Sequence, residues 1–449
     1  MRVIVGMSGG VDSSLAAALL CQQGHDVIGV TLQLYDYDTT IEETDPSKRH
    51  CHPLAFIEDA RHVAKKLGIP HHLLSHQHIF RSEIIDPFMQ SYRQGKTPLP
   101  CAKCNRDVKT SALYNMMTEF GADAMATGHY VRRIDVDGQV HIHQGQDAIR
   151  DQSFFLFALG SHYFDKMLFP LGAYSKAETR AKAQELGLSV ADTPASQDLC
   201  FIAKKSYKTL FNAAHGDIIH VDDGRILGQH QGITGFTIGQ RQGLGIGGQS
   251  ESLHVVALDV AKNQVVVGPR HHLACSVIHL DQVNWLAPEL LPAQRGEHDS
   301  CQGSAHRGSE DRSRQSQKYE ENPRSEDFCG ASTGGSSSCD LSSGDENAEK
   351  QSDISQLASH RGHGENGATE NGNVPHIQDI QVKVRSSSRA VPAKIHLLGD
   401  SAIIYLENPD YAISPGQACV FYHGTRLLGG GWISERTRSD AYLRQKESA

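Results

Sequence analysis

The fold is decided by the stretch RVIVGMSGGVDSSLAAALLCQQ, which runs from Arg2 to Gln23. RVIVG has the pattern of a buried strand, and the segment from Asp12 to Gln23 has the pattern of a helix. A glycine- and serine-rich loop joins them and comprises Gly6, Met7, Ser8, Gly9, Gly10, Val11, Asp12 and Ser13. Backbone N–H groups of such a loop approach an anion closely, and the helix N-terminus adds partial positive charge. The sequence therefore predicts a pyrophosphate-binding loop.

This loop has neither the lysine of a Walker motif nor the GxGxxG pattern of a dinucleotide fold. It matches SGGxDS and resembles the PP-loop of the ATP pyrophosphatases, enzymes that activate a carbonyl oxygen by adenylation and release pyrophosphate. The resemblance implies that ATP is bound here. Asp12 would bind Mg²⁺ or position the triphosphate, because a hard carboxylate suits that cation. The structural alternative is a glycine-rich turn without a ligand.

Strand and helix patterns alternate over the first 200 residues. The strand patterns after the loop are DVIGVTLQLY, HHLLSH and GADAMATGHY, and the helix patterns are IEDARHVAKKLG and FRSEIIDPFMQSYRQG, the latter interrupted by Pro87. Such alternation is typical of a parallel sheet with helices on both faces, with the ligand site at the carboxyl ends of its strands. We therefore predict an α/β N-terminal domain of the adenine nucleotide alpha hydrolase-like PP-loop fold.

The pattern changes after about Ser206 to short strand-like runs such as HVVALDVAKNQVVVG. A second β region begins near Cys275 and resumes with QVKVRSSSRAVPAKIHLLG, SAIIYLENPD and QACVFYHGTRLLGGGWI, a series suited to a small barrel. We predict a catalytic domain over 1–205, a small β-rich central domain over 206–274 and a C-terminal β-barrel domain over 275–449. The stretch from about 295 to 373 is rich in Ser, Gly, Glu and Asn, and we predict a disordered insertion there.

Charge and cysteine usage limit the class of protein. The formal net charge is −9, but 15 acidic and 7 basic side chains lie between Glu297 and Glu370, so the rest of the chain is near −1 and can carry a basic, nucleic-acid-binding face. Ten cysteines are scattered irregularly, with no signal peptide and no apolar run of about 18 residues. We expect reduced thiols in a cytoplasmic protein that is not bound to a membrane.

Two cysteine motifs indicate which member of the superfamily this is. One is TPLPCAKCNR, with Cys101 and Cys104, and the other is SQDLCFI, with Cys200. Together with the phosphate loop and ATGHY, which contains Gly128 and His129, they resemble the tRNA-specific 2-thiouridylases over nearly the whole chain outside the insertion. The resemblance implies ATP-dependent thiolation of the wobble uridine of tRNA at carbon 2.

The resemblance also implies roles for two thiols. Cys200 would carry a persulfide whose terminal sulfur attacks carbon 2 of the adenylated uracil and expels AMP. Cys104 would be the resolving nucleophile, either leaving a disulfide with Cys200 or releasing hydrosulfide that attacks the base. Either route requires these two thiols to meet in the fold.

A difference from the better-known form of the family leaves a second chemistry open. This chain has Leu99 and Cys101 in place of the Asn and Asp of an Asn-Pro-Asp run, and the change creates a CxxC motif. With Cys200, that motif supplies three thiolates for a [4Fe-4S] cluster with one open iron site. A zinc site is a weaker alternative, because no fourth ligand is evident.

Nucleotide and tRNA contacts are also implied by the resemblance. Leu32 and Gly128 would contact adenine. The positions that match tRNA contacts are Leu99, Pro100, Cys101, His129, Arg150, Asp151, Gln152, Arg385, Ser386 and Gln417. Leu99 to Cys101 would embrace a flipped-out base, since an enzyme must remove a base from the stack to react at its edge. Asp151 is equally suited to be a helix cap. Lys383, Arg385, Arg389 and Lys394 are candidates for a phosphate-binding face, and Arg241 for a tRNA backbone contact.

Competing functions remain open from the sequence. Another PP-loop enzyme, such as an amide-forming ligase or a lysidine-forming enzyme, would use the same adenylation but has no need of Cys104 and Cys200. A non-catalytic RNA-binding or sulfur-carrier scaffold has no need of an intact phosphate loop. The expected partners are the tRNAs for Lys, Glu and Gln and a cysteine desulfurase or sulfur-relay protein.

Overall fold

The structure is a computed structural model that describes residues 1–34, 53–194, 199–201, 211, 214–248, 251–291, 380–411 and 413–438. The predicted insertion at about 295–373 lies outside the described residues. The strands are β1 Arg2–Gly6, β2 Asp26–Gln33, β3 His71–Ser75, β4 Ala124–Ala126, β5 Val131–Val136, β6 Gln139–Gln144, β7 Met167–Leu168, β8 Gly216–His220, β9 Ile226–His230, β10 His254–Asp259, β11 Gln264–Gly268, β12 Cys275–Trp285, β13 Gln381–Lys383, β14 Val391–Leu398, β15 Ser401–Asp410, β16 Ala418–His423 and β17 Arg426–Arg438.

The α-helices of the described residues all lie in the N-terminal domain. They are α1 Val11–Gln22, α2 Pro53–Leu67, α3 Gln77–Phe80, α4 Asp86–Arg93, α5 Pro100–Cys104, α6 Ser111–Glu119, α7 Ser161–Phe164 and α8 Lys176–Glu185. Two π-helical segments, Arg81–Ile85 and Asn105–Thr110, join α3 to α4 and α5 to α6. Short 3₁₀ turns occur at Ser153–Leu156, Ile233–Gly235, Arg270–Leu273 and Pro288–Leu290. In these described ranges, no helix has the length and apolar content needed to cross a membrane.

The N-terminal domain contains the predicted parallel sheet, with strand order β3-β2-β1-β4-β7. Val3, Ile4 and Val5 of the central strand are fully buried, as expected for a strand that is covered on both faces. Strand β4 is shorter than the predicted GADAMATGHY pattern, because the chain leaves the sheet after Ala126 and Gly128 packs directly against the start of α1. The prediction of a parallel α/β sheet is confirmed.

The C-terminal region forms a closed antiparallel barrel. Its strands follow the order β12-β15-β14-β13-β16-β17, and pairing of β12 with β17 closes the ring. The sheet extends beyond the barrel into the β5–β6 hairpin of the N-terminal domain, which pairs with β17. The predicted barrel is confirmed, whereas this hairpin was not predicted, because nothing in its own sequence indicates a partner strand far along the chain.

The central β-rich unit is a separate four-stranded sheet with the order β10-β11-β8-β9. It has its own apolar cluster, to which Ile218, Val255 and Val267 contribute. Arg436 of the barrel donates a 2.7 Å hydrogen bond to the Val256 carbonyl of this unit. The described residues all belong to one compact unit.

The core of the N-terminal domain includes side chains from the barrel. Phe157 packs on Trp432 with 5.3 Å between ring centroids, and Ser153 lies 3.1 Å from the Tyr422 hydroxyl. Asn284 donates hydrogen bonds to the carbonyls of Phe157 and Leu159. These contacts fix the barrel against the domain that carries the phosphate loop.

Candidate active site

The phosphate loop leaves β1 at Gly6 and enters α1 at Val11. Gly9 has a φ of +78°, and a Cβ atom at this position would lie 2.0 Å from the Phe56 carbonyl oxygen, so only glycine fits. The Ser13 hydroxyl accepts a hydrogen bond from the Ser8 N–H at 3.0 Å and donates to the Gly10 carbonyl at 3.2 Å. The loop is therefore held in shape by its own residues.

The N-terminus of α1 remains available to an anion. Its N-cap is Gly10, which has no side chain to bond the first N–H groups of the helix. An uncapped helix N-terminus preceded by a glycine loop fits the phosphates of a nucleotide. These features are the structural basis for placing a triphosphate here.

The Asp12 carboxylate is one-third exposed and makes three short hydrogen bonds. It accepts one from the Tyr130 hydroxyl at 2.7 Å and two from Lys176 Nζ, at 2.6 and 2.8 Å. Lys176 is the first residue of α8, and sequence reasoning missed it because no local motif marks a lysine so far from the loop.

The adenine-contact candidates lie at the carboxyl ends of two strands. A Cβ atom on Gly128 would come within 2.7 Å of the Asp12 carbonyl carbon and the Ser13 nitrogen, so the residue must be glycine for α1 to pack. Leu32 is half-buried near the end of β2. Both positions are at the sheet edge where a parallel fold binds its ligand.

His129 follows Gly128 and faces the thiol side of the site. Thr127 Oγ1 lies 2.8 Å from His129 Nδ1. Burial, followed by the nearby Lys109 ammonium, lowers the pKa of His129 to about 3. The imidazole is therefore neutral at physiological pH and suits a hydrogen bond with a base better than an ionic contact with phosphate.

The three cysteines of the predicted site are brought together. Cys101 and Cys104 lie on α5, and Phe201, next to Cys200, packs on Phe80 in the apolar cluster that also contains Cys104. All three are free thiols; Cys101 and Cys200 are exposed, and Cys104 is buried. Ser196, Gln197 and Asp198 of the SQDLCFI motif lie outside the described residues.

Burial raises the pKa of all three thiols, and that of Cys104 reaches about 11. The positive charge of the Lys109 ammonium lowers the pKa of each thiol, but by less than burial raises it. Desolvation therefore outweighs the attraction of the Lys109 ammonium at each thiol.

Lys109 was not predicted, and the π-helical segment explains how it reaches the thiols. In an α-helix a residue five positions after Cys104 points to another side, whereas the wider π turn returns Lys109 toward the face of Cys104. The pKa of Lys109 is raised, chiefly by its interaction with Cys104. Such π segments are frequent at functional sites, and no pattern in the sequence reveals one.

The iron-sulfur alternative is not supported. Among the described residues, which include Cys101, Cys104 and Cys200, no group of three or more His, Cys, Asp or Glu side chains is arranged to hold a metal ion. A cluster requires its thiolates to converge on one point, and these three cysteines do not do so. The same geometry argues against the zinc alternative.

The segment before Cys101 is held by the barrel. Gln417 donates hydrogen bonds to the Thr97 carbonyl at 2.9 Å and the Pro98 carbonyl at 3.3 Å. The Thr97 N–H donates to the Pro415 carbonyl at 2.8 Å, and Ser414 donates to the Thr97 hydroxyl at 3.0 Å. Gln417, predicted to contact tRNA, thus also positions the chain leading into Leu99 and Pro100, which pack half-buried and buried respectively.

The predicted contacts at Arg150 to Gln152 differ in their exposure. Arg150 is exposed. The Asp151 side chain is only 3% exposed and accepts hydrogen bonds from the Ser153 and Gly145 N–H groups. The Gln152 side chain accepts from the Tyr130 N–H. Arg150 is thus the residue of the three whose side chain is presented to solvent.

The basic face of the barrel is smaller than predicted. Arg385, Ser386, Arg389 and Lys394 are exposed, and the Arg385 carbonyl accepts a 2.8 Å bond from Ser388 within the turn between β13 and β14. Lys383 is buried and lies 3.8 Å from Asp151, so its placement on this face was wrong. The position of Lys383 along β13 directs its side chain toward the N-terminal domain, where Asp151 lies, and not toward solvent. Arg241 of the central unit is exposed.

The glycine loop at the carboxyl edge of a parallel sheet defines an α/β nucleotide-binding domain. Consistent with this class, the family model described as tRNA methyl transferase HUP domain matches residues 1–204. The models for the tRNA methyl transferase PRC-barrel domain and the aminomethyltransferase beta-barrel domain match residues 204–269 and 369–433. The three matches follow the same order as the three units of the fold.

Curated relatives identify the family. The chain is 37% identical to the tRNA-specific 2-thiouridylase MnmA of Rhodospirillum centenum over 98% of its own length and 93% of that protein. It is also 37% identical to the proteins of the same name from Zymomonas mobilis and Rickettsia typhi, covering 94% and 99% of them and 97% of this chain in each case. The chain belongs to the tRNA-specific 2-thiouridylase family.

Similarity to solved structures is weak. A 4-thiouridine synthetase in complex with RNA and bound ATP is 17% identical, with a TM-score of 0.29 over 46% of each chain. An NMN synthetase from Francisella tularensis is also 17% identical, with a TM-score of 0.27 over 46% of this chain and 73% of that one. Neither score supports an argument beyond the sequence relatives.

Proposed function

We propose that this protein is a tRNA-uridine 2-sulfurtransferase that adenylates the carbon 2 oxygen of a wobble uridine with ATP and replaces that oxygen with sulfur. The observation that carries the proposal is the position of two adjacent residues. Gly128 touches the phosphate loop at Asp12 and Ser13, and His129 interacts with Lys109 among the thiols. One strand end therefore joins the nucleotide region to the sulfur-transfer region.

In the first half-reaction, the uracil oxygen attacks the α-phosphate of ATP and pyrophosphate leaves. The loop backbone and the N-terminus of α1 hold the phosphates. The Asp12 carboxylate, whose two oxygens both accept hydrogen bonds from Lys176, suits a Mg²⁺ ion, which would neutralise charge on the triphosphate. In this scheme Leu32 and Gly128 contact the adenine, and the neutral His129 bonds the uracil.

In the second half-reaction, the terminal sulfur of a Cys200 persulfide attacks carbon 2 and AMP leaves with the oxygen. Cys104 then attacks the Cys200 sulfur, so the new carbon–sulfur bond is retained in 2-thiouridine and a Cys104–Cys200 disulfide forms. A thiol reductant must restore both cysteines before the next turnover. Exposure of Cys200 suits loading by a cysteine desulfurase or relay protein, whereas burial of Cys104 protects the resolving thiol.

We further propose that the tRNAs for Lys, Glu and Gln are the substrates, that the protein acts in the cytoplasm, and that the catalytic, central and barrel domains span 1–205, 206–274 and 275–449. Arg150, Arg385, Ser386 and Arg241 are exposed and supply contacts to the tRNA backbone. Leu99 and Cys101 border the flipped base, on a segment that Gln417 holds in place.

The test is thiolation of an unmodified glutamate tRNA by the full-length protein with ATP, Mg²⁺ and a cysteine desulfurase. Wild type and Cys101→Ala should form 2-thiouridine, whereas Cys104→Ser and Cys200→Ser should fall to background while still releasing pyrophosphate in the presence of tRNA. Wild-type protein that forms no 2-thiouridine with any of the three tRNAs would refute the proposal. Equal activity of Cys200→Ser and wild type would refute the persulfide role.

A further inference from the structure

Lys176 occupies a position that protein stability does not favour. It is the first residue of α8, where the partial positive charge of the helix N-terminus repels a cation. Its side chain is only 13% exposed, so its charge has lost much of its hydration. The N-terminus of α8 is already satisfied by a capping box of Ser175 and Glu178, so the lysine is not needed to form the helix.

Contacts with the phosphate loop offset the free energy needed to hold the Lys176 charge at this position. Lys176 Nζ bonds both carboxylate oxygens of Asp12, and the Lys176 N–H is held by Asp147 Oδ2 at 3.1 Å. The Tyr130 hydroxyl, which bonds Asp12, also lies 3.0 Å from Thr179 of α8. The main chain of Lys176 is thereby fixed beside the loop. Its side chain is long enough to move between neighbouring anions.

The loop needs a cation that its own sequence lacks. Gly6 to Ser13 contains no lysine or arginine, whereas a Walker loop carries a lysine that binds the phosphates. Backbone N–H groups contribute only partial charges toward a triphosphate or a departing pyrophosphate, and both are multiply charged anions. A lysine from α8 supplies the missing charge at the same place in space.

We propose that Lys176 is the phosphate-binding cation of this site. In the free protein it rests on Asp12, which keeps a poorly hydrated ammonium paired. When ATP enters, the ammonium transfers to the phosphate oxygens, and it remains on pyrophosphate until that product leaves. The inference rests on the proposed use of ATP, and its distinguishing consequence is that Lys176 contributes to phosphate binding and not to adenosine binding.

The experiment is calorimetry on the full-length protein at fixed Mg²⁺, with a non-hydrolysable ATP analogue, inorganic pyrophosphate and adenosine as ligands. Lys176→Met should weaken binding of the analogue and of pyrophosphate by about 30-fold, because a charge-assisted hydrogen bond contributes roughly 1.5–3 kcal/mol. Adenosine binding should stay within about twofold, and Lys176→Arg should restore most of the loss. Lys182→Met is the matched control, since Lys182 lies on the same helix and pairs with Glu185.

A second pair of variants controls for unfolding caused by an Asp12 carboxylate that has lost its lysine partner. In Asp12→Asn protein no unpaired carboxylate is left behind, and adding Lys176→Met should still reduce pyrophosphate affinity. Equal losses for adenosine and pyrophosphate, or no loss for either, would overturn the assignment. Wild-type protein that binds ATP and pyrophosphate but does not thiolate tRNA would overturn the proposed function and leave Lys176 assigned. Wild-type protein that binds neither would overturn both.

Discussion

The phosphate end and the thiol end of the site are built in opposite ways. The phosphate end is made by consecutive residues, Gly6 to Ser13, whose hydrogen bonds run mostly within the loop. The thiol end is assembled from the α5 helix, the Cys200 segment and a barrel loop that contributes Gln417. A local loop is specified by local sequence, whereas a site assembled from distant segments depends on the packing of the whole chain. Substitutions at the phosphate end should therefore change different measured properties from substitutions at the thiol end.

The largest effect is expected at the phosphate end, from Gly128→Ala. The added methyl group would lie 2.7 Å from backbone atoms of Asp12 and Ser13, which cannot rotate away as a side chain would. Overpacking of about 2–3 kcal/mol corresponds to roughly a 30- to 150-fold loss of affinity if the start of α1 must shift to accommodate it. The measurement is ATP binding by calorimetry.

The matched control for this change is Gly247→Ala, where an added methyl group meets no atom of the described residues within 4 Å. Alkylation rates of Cys104 and Cys200 should be unchanged in the Gly128 variant if the two ends are structurally independent. A parallel loss of thiol reactivity would contradict that independence.

A smaller effect is expected at the thiol end from Gln417→Glu, which keeps the size of the side chain but removes the donors to the Thr97 and Pro98 carbonyls. Loss of these bonds should lower kcat for thiolation about tenfold by loosening the segment that leads to Leu99. ATP binding should not change. The control Arg389→Gln alters an exposed basic residue of the same barrel and should affect KM for tRNA and its salt dependence instead.

The smallest effect concerns pH. Because burial raises the pKa of Cys104 to about 11, its thiolate fraction at pH 7 is small, and its alkylation by iodoacetamide should rise steeply with pH between 7 and 10. Charged or titratable neighbours are Lys109, which favours the thiolate, and Cys101, Cys200 and Asp107, which oppose it. Lys109→Met should raise the pKa further and slow alkylation at pH 8 by severalfold.

Lys103→Met is the control for this change, since Lys103 lies in the adjoining α5 helix and pairs with Asp107 and with Glu83 of the Arg81–Ile85 segment. Lys109→Arg should retain most of the wild-type rate because the positive charge is preserved. Faster alkylation of Lys109→Met at pH 8 would contradict the electrostatic role.

The same contrast explains how much the sequence could predict. The loop, the parallel sheet and the barrel strands were predictable, because periodicity and short motifs mark them, and the family resemblance implied that Cys104 and Cys200 meet. The Lys176 partner of Asp12 and the π segment that orients Lys109 were not, because each depends on contacts between segments distant in sequence or on a local departure from α-helical geometry. Lys383 was misplaced because the strand pattern alone does not show that its polar side faces another domain.

The packing of Phe157 against Trp432 has a consequence for biosynthesis. On the ribosome, the N-terminal domain emerges long before β16 and β17, the strands that complete its apolar core. Until β16 and β17 are translated, Phe157 and its neighbours lack their final packing partners. The nascent domain therefore exposes apolar surface for most of the elongation time. Holding chaperones should therefore bind this chain during synthesis and release it once the last barrel strands have folded onto the domain that was made first.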